Sequence, residues 1–265
     1  MTQHPGRLQG QVAIVTGAGQ GFGRSILETF VGQGAKVLNM DIIAPSDDYL
    51  SGIKGAVGEK AAYQIKGDVT KAADWERAVS ACRDKLGGVP SIVVNNAGWT
   101  YSNKASLDVS EDEFDRVFAI NVKSLYVSVK AVVPALIEAG KGGAFIQISS
   151  TAALRPRPKL VWYNASKGAV STASKALALE YAGNKIRFNC LNPVAGNTPL
   201  LSKFAGAKES GDPLTAEQLK QFNDSVPLGR LSEPRDVANA ALFLADPASE
   251  FITGIDLPVD GGRCV

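Results

Sequence analysis

The sequence predicts an α/β fold: a doubly wound parallel sheet of about seven strands with helices on both faces, folded as a single domain. Three observations lead there. Short apolar runs rich in branched residues recur along the chain, with helical stretches between them. A glycine cluster directly follows the first of those runs. No repeat, low-complexity tract or linker divides the 265 residues, and undivided α/β sheets reach that length.

Each element has its own signal. Val12 to Val15 reads as the first strand and Arg24 to Val31 as the helix after it. Lys36 to Met40 follows as a strand, while Gly52, Gly55 and Gly58 argue against a continuous helix over Ser46 to Gly58. Ala61 to Ile65 and Ser91 to Val94 give two more strands. Ser110 with Glu113 forms a capping box that starts a helix running towards Glu138, in which Pro134 predicts a kink or a change of path. Ala144 to Ile148 is the fifth strand, and Trp162 to Tyr181 is a close-packing helix rich in Ala and Ser. Arg187 to Leu191 and Ile255 to Pro258 complete the sheet. The weakly patterned stretch Pro193 to Leu231 follows a strand C-terminus, where such sheets bind ligands, so a substrate lid is expected there.

Composition excludes several functions. With 45% hydrophobic and 20% charged residues the chain has the balance of a soluble globular protein with a sizeable core. A net charge of +2 is too small for a nucleic-acid or membrane-surface protein. Cys82, Cys190 and Cys264 lie far apart without metal-ligand spacing, which suggests free thiols in a reducing compartment. The one histidine, His4, stands in a polar tail, so no metal site is expected and proton chemistry falls to Tyr, Lys, Ser, Cys or carboxylates. Without a signal-peptide pattern or an apolar run of membrane-span length, the expected location is cytoplasmic.

The turn after the first strand, Thr16 to Gly23, carries Gly17, Gly19, Gly21 and Gly23. Glycine permits positive φ and close backbone approach, and the N–H groups at the helix start suit a pyrophosphate. Asp41 ends the next strand about twenty positions on, where a carboxylate accepts ribose hydroxyls and repels a 2′-phosphate. Gln20 stands where a basic residue would meet that phosphate. NAD is therefore expected rather than NADP, with a solvated turn residue as the plainer account of Asp41.

Tyr163 and Lys167 stand four apart in a helical stretch and share a face. An ammonium about 4 Å from a phenol, at an effective dielectric of about 20, favours the phenolate by about 4 kcal/mol, or about three pKa units, before desolvation offsets it. That brings a group titrating at about 10 towards neutrality, where general acid–base work is done. Taken alone, the pair is also an ordinary helix surface.

Further motifs join these: Asn95-Asn96-Ala97-Gly98 after the fourth strand, Asn121 in the next helix and Ile148-Ser149-Ser150 after the fifth strand. Tyr163-Asn-Ala-Ser-Lys167, Pro193 to Thr198 and Val259-Asp260-Gly261-Gly262 follow in order. From Val12 to Gly262 the chain resembles the short-chain dehydrogenase/reductase family. The resemblance implies a Rossmann-type fold and an NAD(H)-dependent oxidoreductase that interconverts a small alcohol and its ketone or aldehyde. It implies a general acid–base role for Tyr163, with Lys167 lowering its pKa and holding the nicotinamide ribose. Ser150 would hydrogen-bond the substrate oxygen, Ser149 being the alternative, and Asn121 would hold a water linking Lys167 to solvent. Gly17, Gln20, Gly21, Phe22 and Gly23 would meet the cofactor at the glycine turn, and Asp68 and Val69 would meet the adenine. Asn95 and Ala97 would line the groove, although Asn95-Asn96 also reads as sheet-stabilising hydrogen bonding. Pro193 and Gly196 would meet the cofactor, and Thr198 would bind the nicotinamide carboxamide. A homotetramer or homodimer through the helices of Asn121 and Tyr163 is implied as well.

Two alternatives stand beside that reading. An epimerase or dehydratase using bound NAD transiently is usually longer, and a non-catalytic dinucleotide sensor commonly lacks the Tyr or Lys that this chain keeps. The chain also departs from the family pattern. Val194 replaces the usual glycine after Pro193 and takes positive φ poorly, which leaves the path of the loop and the place of Gly196 open. Phe22, where a smaller aliphatic is usual, is expected to press on the cofactor. Trp99, Thr100 and Tyr101 suggest an aromatic wall, and Leu200, Leu201, Phe204 and Phe222 either a lid face or core packing. Arg155, Arg157 and Lys159 crowd the loop before Tyr163, fitting either an anionic substrate or a solvated loop or subunit contact.

Overall fold

A computed structural model describes residues 6–43 and 61–265, so Ser46 to Gly58 and His4 lie outside the described residues. The strands are β1 (Val12–Thr16), β2 (Lys36–Asp41), β3 (Ala62–Lys66), β4 (Ile92–Asn95), β5 (Gly143–Ile148), β6 (Ile186–Pro193) and β7 (Asp256–Val259). All pair in parallel, in the order β3-β2-β1-β4-β5-β6-β7. The helices are α1 (Gly21–Gly32), α2 (Ala72–Ala81), α3 (Glu111–Phe118), α4 (Ser124–Ala139), α5 (Val161–Glu180), α6 (Leu201–Phe204), α7 (Ala216–Asp224) and α8 (Pro234–Ala245).

The sequence of β1 explains the two-sided core. All five of its residues are buried, and successive side chains point to opposite faces. Val12 and Ile14 join a cluster with Trp75 of α2, Leu125 of α4 and Val170 of α5. Ala13 and Val15 join the other cluster, with Ile26 and Phe30 of α1 and Val237 and Leu242 of α8. Each large apolar side chain removed from water contributes about 2 kcal/mol, so a continuous apolar strand is stable only between two helical layers. The strand order reverses between β1 and β4, and the crevice outside their C-terminal ends is where such sheets bind ligands.

The capping box forms as read: Glu113 N–H donates to Ser110 Oγ at 3.3 Å, and Ser110 N–H to Glu113 Oε2 at 2.9 Å. Pro134 lies inside α4, which continues to Ala139. The departure from regular helix falls earlier, at Ala119–Lys123, a wider π-type turn between α3 and α4. Glu111–Ala139 is therefore one helical run, with the length and hydropathy of a membrane span, which the sequence reading did not anticipate. Half of that apolar window is buried, as in a core helix of the sheet's outer layer.

Candidate active site

The glycine turn is shaped by contact on both sides. Gly17 has φ +64°, and a Cβ there would fall 3.1 Å from the Ala97 backbone. A Cβ on Gly23 would come within 2.5 Å of Gly17 O, so α1 seats against the turn only with glycine at that point. The end of β2 holds the turn from the other side. Asn39 Oδ1 accepts Ala18 N–H at 3.0 Å and Asp41 Oδ2 accepts Gly19 N–H at 3.1 Å. A carboxylate has further acceptor positions, and Asp41 faces the cavity.

β4 braces the same turn. Asn96 Nδ2 donates to Thr16 O at 2.8 Å and Gly17 O at 3.1 Å. Asn95 does something else: its Nδ2 donates to Ser128 Oγ at 2.9 Å and Gln147 Oε1 at 2.8 Å. Neighbouring strand residues face opposite ways, so the Asn95 side chain ties β4 to α4 and β5 and lies off the cavity, contrary to its expected groove position. Gly23 likewise packs behind the turn and does not line the cavity.

Tyr163 and Lys167 lie on the buried face of α5, each 5% exposed. Ser150 follows β5, and its Oγ accepts Ala152 N–H at 3.1 Å, leaving the hydroxyl hydrogen free to donate elsewhere. Burial pushes the Tyr163 phenol above its ordinary pKa, while the hydrogen bond with Ser150 and the charge of Arg157 pull it back. Lys167 Nζ donates to Ile148 O at 2.8 Å and stands 5.8 Å from the Tyr163 ring centroid. Burial pulls its ammonium down to about 8. The expected depression of the phenol by Lys167 is thus outweighed. Desolvation disfavours charge on both groups, and the cation over the phenol ring is spent on a carbonyl. Ser149 is turned inward, with its Oγ donating to Lys167 O at 3.1 Å.

Asn121 occupies the π-type turn. Its Nδ2 donates to Trp99 O and Ser166 Oγ, both at 3.0 Å, and its Oδ1 accepts Trp99 N–H at 2.9 Å. It does not line the cavity. Yet a Cβ on Gly98 would lie 3.5 Å from Asn121 Oδ1 and 3.6 Å from Lys167 Nζ, so the two side chains flank one glycine. An extra residue in a helical turn re-aims side chains, and such turns gather at functional sites.

One cavity of about 670 Å³ collects most of the named residues. Gly17, Gln20, Gly21, Phe22, Asp41, Asp68, Val69, Ala97, Pro193, Gly196 and Thr198 line it, together with Ser150, Tyr163 and Lys167. Val194 needs no positive φ; its N–H continues the β6–β7 ladder to Val259 O at 3.2 Å. Gly196 is required by contact, since a Cβ there would sit 2.2 Å from Phe22 Cζ. Phe22 therefore presses on the loop after β6. Of the expected aromatic wall only Trp99 lines the cavity. Tyr101 is buried, with its Oη accepting Trp162 N–H at 3.0 Å at the start of α5. Leu200, Phe204 and Phe222 line the cavity, whereas Leu201 is buried elsewhere. Arg155 and Arg157 line it and Lys159 does not. Sequence reading missed Ile42, Ile43, Arg116 and Arg263. The first two continue the strand of Asp41, a usable signal, but nothing local marks the arginines.

These residues fit a nicotinamide dinucleotide. Gly17 and Gly21 leave open the space that side chains would fill, and the same cavity holds a carboxylate at the end of β2 and a phenol–ammonium pair on α5. Among the described residues no group of three or more His, Cys, Asp or Glu is placed to hold a metal ion.

Comparison with known proteins agrees. A family model described as enoyl-(acyl carrier protein) reductase matches residues 17–263. A 4-formylbenzenesulfonate dehydrogenase of Comamonas testosteroni is 42% identical over 256 residues, 97% of this chain and 98% of that protein. A 2,5-dichloro-2,5-cyclohexadiene-1,4-diol dehydrogenase of Sphingobium indicum is 34% identical over 98% of both chains. The solved structure of a 3-ketoacyl-(acyl-carrier-protein) reductase from Brucella melitensis, complexed with NADH, superposes with a TM-score of 0.85 at 41% identity, covering 97% of this chain and 100% of that one.

Proposed function

The chain belongs to the short-chain dehydrogenase/reductase family, and on that premise we propose an NAD(H)-dependent enzyme that interconverts a small alcohol and its ketone or aldehyde, with Tyr163 as general acid–base. One observation carries the reading: the buried phenol of Tyr163, set between Ser150 and Lys167, opens into the cavity that the glycine turn lines.

Gly17, Gln20, Gly21 and Thr198 would hold the dinucleotide near its pyrophosphate and carboxamide, with Asp41, Asp68 and Val69 at the adenosine end. Bound there, the dinucleotide would supply or accept the hydride, so that each carbonyl reduced would consume one NADH and one proton. Tyr163 O–H donates that proton to the carbonyl oxygen and takes it back in oxidation. Ser150 Oγ donates a hydrogen bond to the same oxygen, which counts most as negative charge builds there. Lys167 would hold the nicotinamide ribose and lower the pKa of Tyr163, and Asn121, which flanks Gly98 together with Lys167, would hold a water linking Lys167 to solvent. NAD is favoured because Asp41 sets an acidic side chain where a 2′-phosphate would lie and no Lys or Arg stands among Gly17 to Gly23.

The stretch Pro193 to Leu231 is assigned as substrate lid, since Leu200, Phe204 and Phe222 turn towards the cavity. Assembly is assigned to a homotetramer or homodimer across α4 and α5, where Tyr126 and Leu179 are exposed, and the location to the cytoplasm, in keeping with three free cysteines. The epimerase, dehydratase and sensor readings gain no support from the dehydrogenase and reductase relatives.

The test is loss of NADH absorbance with a panel of carbonyl compounds, repeated with NADPH. Aromatic aldehydes head the panel, because the Comamonas testosteroni relative is named for one. Tyr163→Phe should lower turnover about 1,000-fold or more while NADH still binds. Near-normal turnover in that variant would remove Tyr163 from the chemistry.

A further inference from the structure

The cavity is electrically lopsided. Its acidic lining residues, Asp41 and Asp68, follow β2 and β3, towards one edge of the sheet. The lining that comes from beyond β5 carries Arg155, Arg157 and Arg263 and no carboxylate among the described residues.

These arginines are not equivalent. Arg155 Nη1 donates to Arg263 O at 2.7 Å, pinning the C-terminal turn beside the cavity. The Arg157 carbonyl accepts Asn164 Nδ2 at 2.7 Å, which fixes its backbone. Its guanidinium carbon lies 5.0 Å over the Phe204 ring, and that ring meets Tyr163 edge-on with centroids 5.5 Å apart. The guanidinium and the phenol thus flank one phenylalanine. Among the described residues no carboxylate or carbonyl bonds the Arg157 side chain. The charged group acting on it besides Tyr163 is Arg263, a second cation, and burial pulls its pKa below the ordinary value.

A half-buried guanidinium without an acid partner and beside a like charge is unfavourable. A solvated loop would turn it outward. A carboxylate or sulfonate reverses the penalty, because a planar guanidinium binds such groups through paired hydrogen bonds. The cofactor's pyrophosphate is not that anion, for its seat at Gly17 and Gly21 packs against Ala97 and Thr198, not against Phe204.

We propose that Arg157 binds a negative charge on the substrate, so that the compound turned over at Tyr163 carries a carboxylate or sulfonate across an apolar, ring-sized body. This rests on the oxidoreductase reading above and adds the substrate class. For Arg157 it takes the anionic-substrate reading of the loop, while Arg155 is engaged with Arg263 O and Lys159 lies off the cavity.

The experiment compares 4-formylbenzoate with its methyl ester, which share ring and carbonyl and differ in charge. Wild-type enzyme should prefer the acid by about 100-fold in kcat/KM, mostly through KM. Arg157→Met should bring that preference near parity, and Arg157→Lys should keep part of it. Equal use of acid and ester by the wild type overturns the proposal, as does an Arg157→Met effect that falls on NADH affinity instead. Calorimetric titration of 4-formylbenzoate separates the two claims. Binding to wild type that Arg157→Met abolishes supports the anion site even where no hydride moves to any member of the carbonyl panel, a result that would sink the oxidoreductase reading alone. No binding to wild type overturns the anion site.

Discussion

At one end of the cavity the protein presents backbone; at the other it presents side chains. The glycine turn between β1 and α1 is bare main chain, held in place by Asn39, Asp41 and Asn96 at the ends of two neighbouring strands. Gly17, Ala18 and Gly19 N–H are paired with β2, and the space in front of the turn is cleared by missing Cβ atoms. The other end gathers Ser150, Arg157, Tyr163, Lys167, Phe204 and Arg263 from four separate parts of the chain, and burial disfavours the charge of both Arg157 and Lys167. The first end is relaxed and generic. The second holds charge at a cost, and chemistry and selectivity are expected where that cost is met by a ligand.

If the dinucleotide end selects by one charge on an otherwise neutral backbone cradle, removing that charge should move selectivity and little else. Asp41→Asn is the suitable variant, because its amide oxygen still accepts Gly19 N–H. The NADPH-to-NADH ratio of kcat/KM should rise about 100-fold, or about 2.7 kcal/mol. An unchanged ratio would mean that the shape of the turn selects the cofactor, and the contrast between the two ends would fail.

The seam between the two ends gives a sharper trial. Phe22, from the glycine turn, packs on Gly196, from the loop after β6. Gly196→Ala places a Cβ 2.2 Å from Phe22 Cζ. Overpacking of that kind costs about 2 kcal/mol, readable in urea unfolding. Adding Phe22→Leu should recover most of it. If the double variant is no better than Gly196→Ala, the two loops do not meet as described.

The same contrast explains what the sequence made legible. Every strand lies within two residues of its expected bounds, because a buried parallel strand has to be a short run of branched apolar residues. The glycine turn, the Ser110 cap and the Tyr163–Lys167 pair were legible because each is a local spacing. Of the two readings of Asn95, the sheet-stabilising one holds and the groove-lining one does not, because register at a strand end decides which of two adjacent asparagines faces the cavity. The attraction between Tyr163 and Lys167 is legible from spacing, whereas the burial that offsets it and the Lys167 bond to Ile148 O are tertiary. Arg263 had no signal at all; it reaches the cavity because β7 returns beside β6.

The smallest expected effect probes the stored charge directly. Burial sets the folded-state pKa of Lys167 at about 8, below the value of about 10.4 for an unfolded lysine. Below pH of about 8 both states hold the proton and the folded state bears the full penalty. Between about 8 and 10 the folded lysine releases its proton while the unfolded chain keeps it, so this residue's contribution to stability rises with pH. Raised groups act the other way. Tyr163 favours folding fully below its unfolded pKa of about 10 and loses that above it, and the buried Cys82 and Cys190 begin the same loss from about 8.5. Absolute pH profiles mix these contributions, whereas the difference between wild type and Lys167→Met isolates the lysine. From pH 7 to pH 9, in cofactor-free protein, wild type should gain about 1.4 kcal/mol on the variant in urea unfolding. A difference that stays constant over that range would mean that Lys167 carries no desolvation penalty, and the side-chain end of the cavity would then be as relaxed as the backbone end.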